Sequence, residues 1–138
     1  MRRNKKYLLA LICLVFIVPF FITLKSEFYF LFANYDCDNE FNQIDLLVEI
    51  DNRIIFNDTV TYHTFKPIKI EYPMKFGFHK VYVSSSIANT ERQKTIFLFF
   101  NQYLMAEFYP RSKITIREGT TKTRQVFTIN TYFYPYYY

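Results

Sequence analysis

The chain is poor in the residues that build several common kinds of site. It has two glycines in 138 residues, Gly77 and Gly119, so no glycine-rich loop can cradle a phosphate. It has two cysteines, Cys13 and Cys37. Cys13 lies inside an apolar run, so no disulfide can close within the rest of the chain, and packing must supply its stability. His63 and His79 are the only histidines. With Cys37 they fall short of the convergent set that zinc or copper requires. Ser84-Ser85-Ser86 lacks the G-x-S-x-G elbow that exposes a nucleophile and reads as a hydroxyl-rich turn. These absences predict no catalytic residue, no cofactor and no metal: the chain reads as a protein that is not an enzyme.

What is present begins at the N-terminus. Met1–Lys6 carries Arg2, Arg3, Lys5 and Lys6 without an acid, and Tyr7–Leu24 then runs eighteen residues without a charge before Lys25. As a helix, this run would be about 27 Å long, close to the hydrocarbon thickness of a bilayer. A cleaved signal peptide would need a small-x-small site, and the best candidate, ending at Ala33, has Leu31 in place of a small residue. The reading is an uncleaved signal-anchor over residues 1–25. The basic flank keeps the N-terminus in the cytoplasm and puts the remainder outside, periplasmic or extracellular. Phe28, Tyr29, Phe30, Phe32 and Tyr35 suit either an aromatic belt at the outer membrane boundary or a first strand. Residues 26–43 read as an acidic juxtamembrane linker.

The formal net charge is +5. Beyond Lys25, twelve basic residues face twelve acids, so the excess belongs to the anchor and a nucleic-acid partner is excluded. Glu27–Asp51 holds seven acids and no Lys or Arg, whereas Asn52–Tyr138 holds twelve basic residues against five acids. This polarity reads as two solvated faces of one domain. In D-C-D-N-E, Asp36, Asp38 and Glu40 offer oxygens of the kind calcium takes, but the sharp-turn glycine and the distant bidentate acid are missing.

From Ile44 the pattern has period two. Ile44, Leu46, Val48 and Ile50 share one face, opposite Asp45, Glu49 and Asp51, as in a half-buried strand. Asp51-Asn52 suits a hairpin turn with positive φ. Further strands are predicted over Arg53–Val60, Ile68–Tyr72, Phe78–Ser84, Thr95–Phe100, Leu104–Phe108, Lys113–Glu118 and Arg124–Phe133. Ser84–Gln93 is expected to be a polar loop and Pro110 to end a strand. Thr95–Phe100, TIFLFF, is apolar on both faces, as a central strand would be. About eight short strands predict an all-β antiparallel sandwich over residues 44–138.

The segments I-D-N (50–52), R-I-I-F-N-D-T-V (53–60) and G-F-H-K-V-Y-V (77–83) resemble immunoglobulin-like and transthyretin-like sandwich modules of membrane-anchored bacterial surface proteins. The resemblance implies an immunoglobulin-like sandwich and carries no functional residue across. The chain departs from it in having no Trp and no cysteine pair between sheets.

The C-terminus, Y-F-Y-P-Y-Y-Y, is the candidate binding surface: Tyr132, Tyr134, Tyr136, Tyr137 and Tyr138. A row of exposed rings could stack on sugar faces or on peptide. The alternative makes it the end of the last strand, with Phe133 in the core. The expected function is non-catalytic binding or assembly with an envelope protein, the alternative a carbohydrate-binding surface module.

Overall fold

The computed structural model describes residues 7, 11–13, 15, 17, 23–32, 42–62, 66–99, 102–117 and 120–133. They form eight strands: β1 (Thr23–Phe32), β2 (Gln43–Ile50), β3 (Arg53–Thr61), β4 (Ile68–Lys75), β5 (Gly77–Ser85), β6 (Thr90–Leu98), β7 (Tyr103–Arg117) and β8 (Thr120–Tyr132). One four-stranded sheet has the order β4-β1-β7-β8 and the other β3-β2-β5-β6. The expected all-β sandwich is present.

Period-two patterning builds the core. Ile44, Leu46, Val48 and Ile50 of β2 and Val81 and Val83 of β5 face Phe28, Phe30, Leu104, Ala106, Phe108, Phe127 and Ile129 of the other sheet, all buried. Each large side chain so buried contributes about 1.5–3 kcal/mol relative to exposure. The β2–β3 turn has the predicted geometry, with φ of 52° at Asp51 and 63° at Asn52.

Eight strands were expected and eight occur, but they are not the same eight. β1 lies well before the boundary expected at residue 44 and stands inside its sheet, antiparallel to β4 and parallel to β7. Its Phe28, Phe30 and Phe32 fill the core, and Leu31 is buried on the opposite face, so much of the expected linker belongs to the fold. In compensation, two predicted strands are one: β7 runs through Pro110, where the ladder with β8 shifts register between Tyr109 and Ser112. An irregular step is where a strand tolerates proline. The expected loop Ser84–Gln93 shrinks to a turn at residues 86–89, because β6 already starts at Thr90. β6 is also an edge strand rather than a central one.

The N-terminal span differs as well. Thr23 and Leu24, expected at the end of the membrane helix, pair in β1 with Lys75 and Met74. Tyr7, Leu11–Cys13, Val15 and Ile17 are helical and exposed. Among the described residues, no helix is long and apolar enough to cross a membrane.

Candidate functional site

Two surface features stand apart from ordinary sandwich construction: a strip of exposed rings and a free strand edge. The strip starts on the β5–β6 hairpin. Phe78 and Phe97 are register partners on the outer face, while their neighbours His79, Ile96 and Leu98 point inward. The ring centroids of Phe78 and Phe97 lie 4.7 Å apart. Phe97 also meets Phe76 edge-on at 5.4 Å and stacks with Phe99 at 6.2 Å. Phe99 then meets Phe133 edge-on at 5.6 Å, just past β8. Phe78 is 76% exposed, Phe97 42%, Phe99 39% and Phe133 54%. Contiguous exposed aromatic surface of this kind makes the strip a candidate contact surface.

The strip meets the predicted tyrosine surface at one point. Tyr132 ends β8, half-buried and in register with Tyr103. Tyr134, Tyr136, Tyr137 and Tyr138 lie outside the described residues, as do Cys37, His63, Asp36, Asp38 and Glu40. Phe133, which one reading put in the core, is exposed.

The second feature emerges from comparing the four edge strands. β4 carries Pro73 within its span, and its Lys69 bridges Glu27 at 2.6 Å and Glu71 at 3.0 Å. β6 and β8, the edges of opposite sheets, are stitched to each other: Lys94 Nζ donates to the carbonyl of Ile129 at 2.7 Å, and Thr90 Oγ1 to that of Gln125 at 3.3 Å. β3 pairs with β2 alone among the described residues. It exposes Arg53, Ile54, Asn57, Asp58, Thr59 and Thr61 and contains neither Lys nor Pro. It has guards of its own, since its ladder with β2 shifts register at Ile55 and Asp58 Oδ1 accepts from the backbone N–H of Thr59 at 2.7 Å. Among the described residues no hydrogen bond ties it to the other sheet, so of the four edges it is the one best placed to accept another strand.

The polar groups form structural clamps. Asp45, reaching out from β2, grips the β5–β6 turn: the Ser85 hydroxyl donates to it at 2.7 Å, the backbone N–H of Ser86 at 3.0 Å and that of Ile87 at 2.8 Å. The Ser86 hydroxyl donates to it as well. Burial pushes the Asp45 carboxyl up, but the donors from Ser86, Ile87 and Ser85 outweigh it and hold the group well below the usual carboxylate range. At the other end of β5, His79 is buried, with Nδ1 2.6 Å from Asp51 Oδ2 and Nε2 2.7 Å from the Lys75 carbonyl. The backbone N–H of Lys80 donates to Asp51 Oδ1 at 2.9 Å, tying the β2–β3 turn to β5. Ser85 lies six residues along the strand from His79, about 20 Å away, so the histidine and the serines do not form one site.

On the outer face of sheet β4-β1-β7-β8, Tyr29 donates to Glu27 at 2.5 Å. Burial, reinforced by that bond, pushes the Tyr29 phenol up to about 12. Beside the Asp45-bound turn lies an open polar hollow of about 480 Å³ lined by Tyr82, Ser84, Ser85, Ser86, Asn89, Thr90 and Glu91. No cluster of three metal-ligating side chains occurs among the described residues.

No family model, curated protein or solved structure matches this chain.

The edge was legible only in part, since Arg53–Val60 reads as a strand but not as an edge strand. The strip was missed because TIFLFF looks the same whether its second face is buried or exposed. The clamp at Asp45 bridges forty residues or more and has no local signal.

Proposed function

We propose that the chain is a single-pass envelope protein, N-terminus cytoplasmic, whose extracytoplasmic sandwich binds or assembles with another envelope protein without catalysis. The observation that carries the binding reading is the edge of β3, which alone of the four holds neither Lys nor Pro and which, among the described residues, has no hydrogen bond to the other sheet, although a bulge at Ile55 and the Asp58–Thr59 bond guard part of it. An extended segment of the partner adds to β3, with backbone hydrogen bonds supplying affinity and exposed side chains supplying selectivity. The anchor reading draws on the basic flank and on the apolar helical residues Leu11, Ile12, Val15 and Ile17, which the sandwich leaves exposed. The non-catalytic reading draws on the polar groups, since Ser85, Ser86 and His79 are all engaged in holding turns.

The strand order departs from the immunoglobulin part of the resemblance. β1 and β2 lie in different sheets, whereas the immunoglobulin arrangement keeps its first two strands in one. A carbohydrate-binding reading is second. It draws on the hollow beside Tyr82, whose hydroxyl is fixed by Glu91 at 2.6 Å, and a glycan array on the full chain tests it.

Photo-crosslinkers placed at Asn57 and Thr59 of the full chain in native membranes test the leading reading. The expected result is one discrete protein adduct from both positions and none from Glu91 on β6. Equal labelling from both edges, or none from β3, would overturn it.

A further inference from the structure

The aromatic strip lies at the end of the sandwich through which the N-terminal run feeds into it. β1 begins at Thr23, opposite Lys75 at the end of β4. β5 starts at Gly77, opposite Leu98 at the end of β6, and β7 starts at Tyr103, opposite Tyr132 at the end of β8. Phe76, Phe78, Phe97, Phe99 and Phe133 therefore gather at the end where β1 starts. The apolar run Tyr7–Leu24 stops only within β1, since Thr23 and Leu24 are already paired strand residues. No linker separates the run from the fold. Each strand residue advances about 3.3 Å, so whatever surface holds the run lies within a few residues' reach of the strip. Lys75 and Lys80 flank Phe78, and Arg53 opens β3 at the same end; all three are exposed.

We propose that this end of the sandwich rests on the bilayer, with Phe78, Phe97, Phe99 and Phe133 in the headgroup layer and Lys75, Lys80 and Arg53 facing anionic lipid. The inference rests on the membrane-anchor reading above and adds an orientation to it. Exposed phenylalanines on a surface rich in Lys and Arg bury favourably at the headgroup–acyl boundary, and the basic residues beside them are drawn to the negative surface potential of anionic lipid. Together they account for the exposure of Phe78, Phe97 and Phe133 at one end of a fold whose turns are clamped. The β3 edge remains open along the side of the sandwich for a protein partner.

The test uses the full chain in vesicles of phosphatidylcholine doped with phosphatidylglycerol, with benzoylphenylalanine at Phe97, at Phe133 or at Ile87. Ile87 is the control: it is 52% exposed and sits in the β5–β6 turn at the opposite end. The expected result is several-fold more lipid adduct from positions 97 and 133 than from 87, reduced when Lys75 and Lys80 are replaced by Glu. Equal lipid labelling from all three positions in chains that float with the vesicles would overturn the orientation and leave the anchor reading standing. Chain-to-chain adducts at position 97 would overturn it in favour of a second copy on the strip. Failure to float with the vesicles would overturn both readings together.

Discussion

The protein uses phenylalanine in two regions with nearly the same ring geometry and opposite surroundings. Inside, Phe32 meets Phe108 edge-on at 5.1 Å and Phe108 meets Phe127 at 5.2 Å. Outside, Phe78 meets Phe97 at 4.7 Å and Phe99 meets Phe133 at 5.6 Å. The inner rings are at most 5% exposed, the outer ones at least 39%. Ring contacts alone therefore do not distinguish a core from a contact surface. The difference lies in what surrounds them: the inner set is enclosed by two sheets, while the outer set has a sheet beneath it and nothing described above it. Folding energy belongs to the first set and surface chemistry to the second.

Substitutions can break that contrast. The largest effect is expected from Phe108→Ala, about 3–5 kcal/mol of stability from lost burial and the cavity left behind, read from urea unfolding of the full chain. A change under about 1 kcal/mol, close to the range of surface substitutions, would mean that the inner rings are not the core. Next is Asp45→Ala, which frees the β5–β6 turn. Charge-assisted hydrogen bonds of this type contribute about 1.5–3 kcal/mol, so a loss in that range is expected, with faster amide exchange at Ser86 and Ile87.

Asp45 also gives a pH dependence. Its carboxyl is depressed in the folded state relative to its ordinary value of 3.8. Its contribution is therefore fully present above that value and is lost as pH falls below it towards the folded value. Thermal melts of Asp45→Asn should show a flatter acid limb than the parent, and parallel acid limbs would count against the clamp.

Smaller effects belong to the outer rings. Phe97→Ser removes three ring contacts at a partly exposed site, and a loss of about 1 kcal/mol is expected. Phe78→Ser, at the most exposed ring, should lie within about 0.5 kcal/mol of the parent. If either substitution destabilises as much as Phe108→Ala, the strip is a second core rather than a surface.

β2 was easier to read than β1. Ile44–Ile50 announced its inward face because Ile44, Leu46, Val48 and Ile50 recur at every second residue with Asp45 and Glu49 between them, and Asp51-Asn52 carried its turn chemistry locally. β1 was ambiguous because Thr23 and Leu24 end an uncharged run and also begin a strand. The rings that follow suit a membrane boundary as well as a core. Pro110 looked like a terminator because a register shift between strands cannot be seen in one strand. The strip and the free edge depend on which strands become neighbours, which local periodicity does not encode.

The position of β1 has a mechanical consequence. It runs between β4 and β7, held by β4 from Thr23 to Phe30 and by β7 from Glu27 to Phe32, so that its middle is held on both sides. Tension applied at the N-terminus acts along the strand's own axis, first on the β4 ladder and then on both. The hydrogen bonds then share the load in shear, instead of parting one after another as they would if an edge strand were peeled away. A chain fastened through β1 is thus attached by the strand best placed to resist being drawn out of the sandwich.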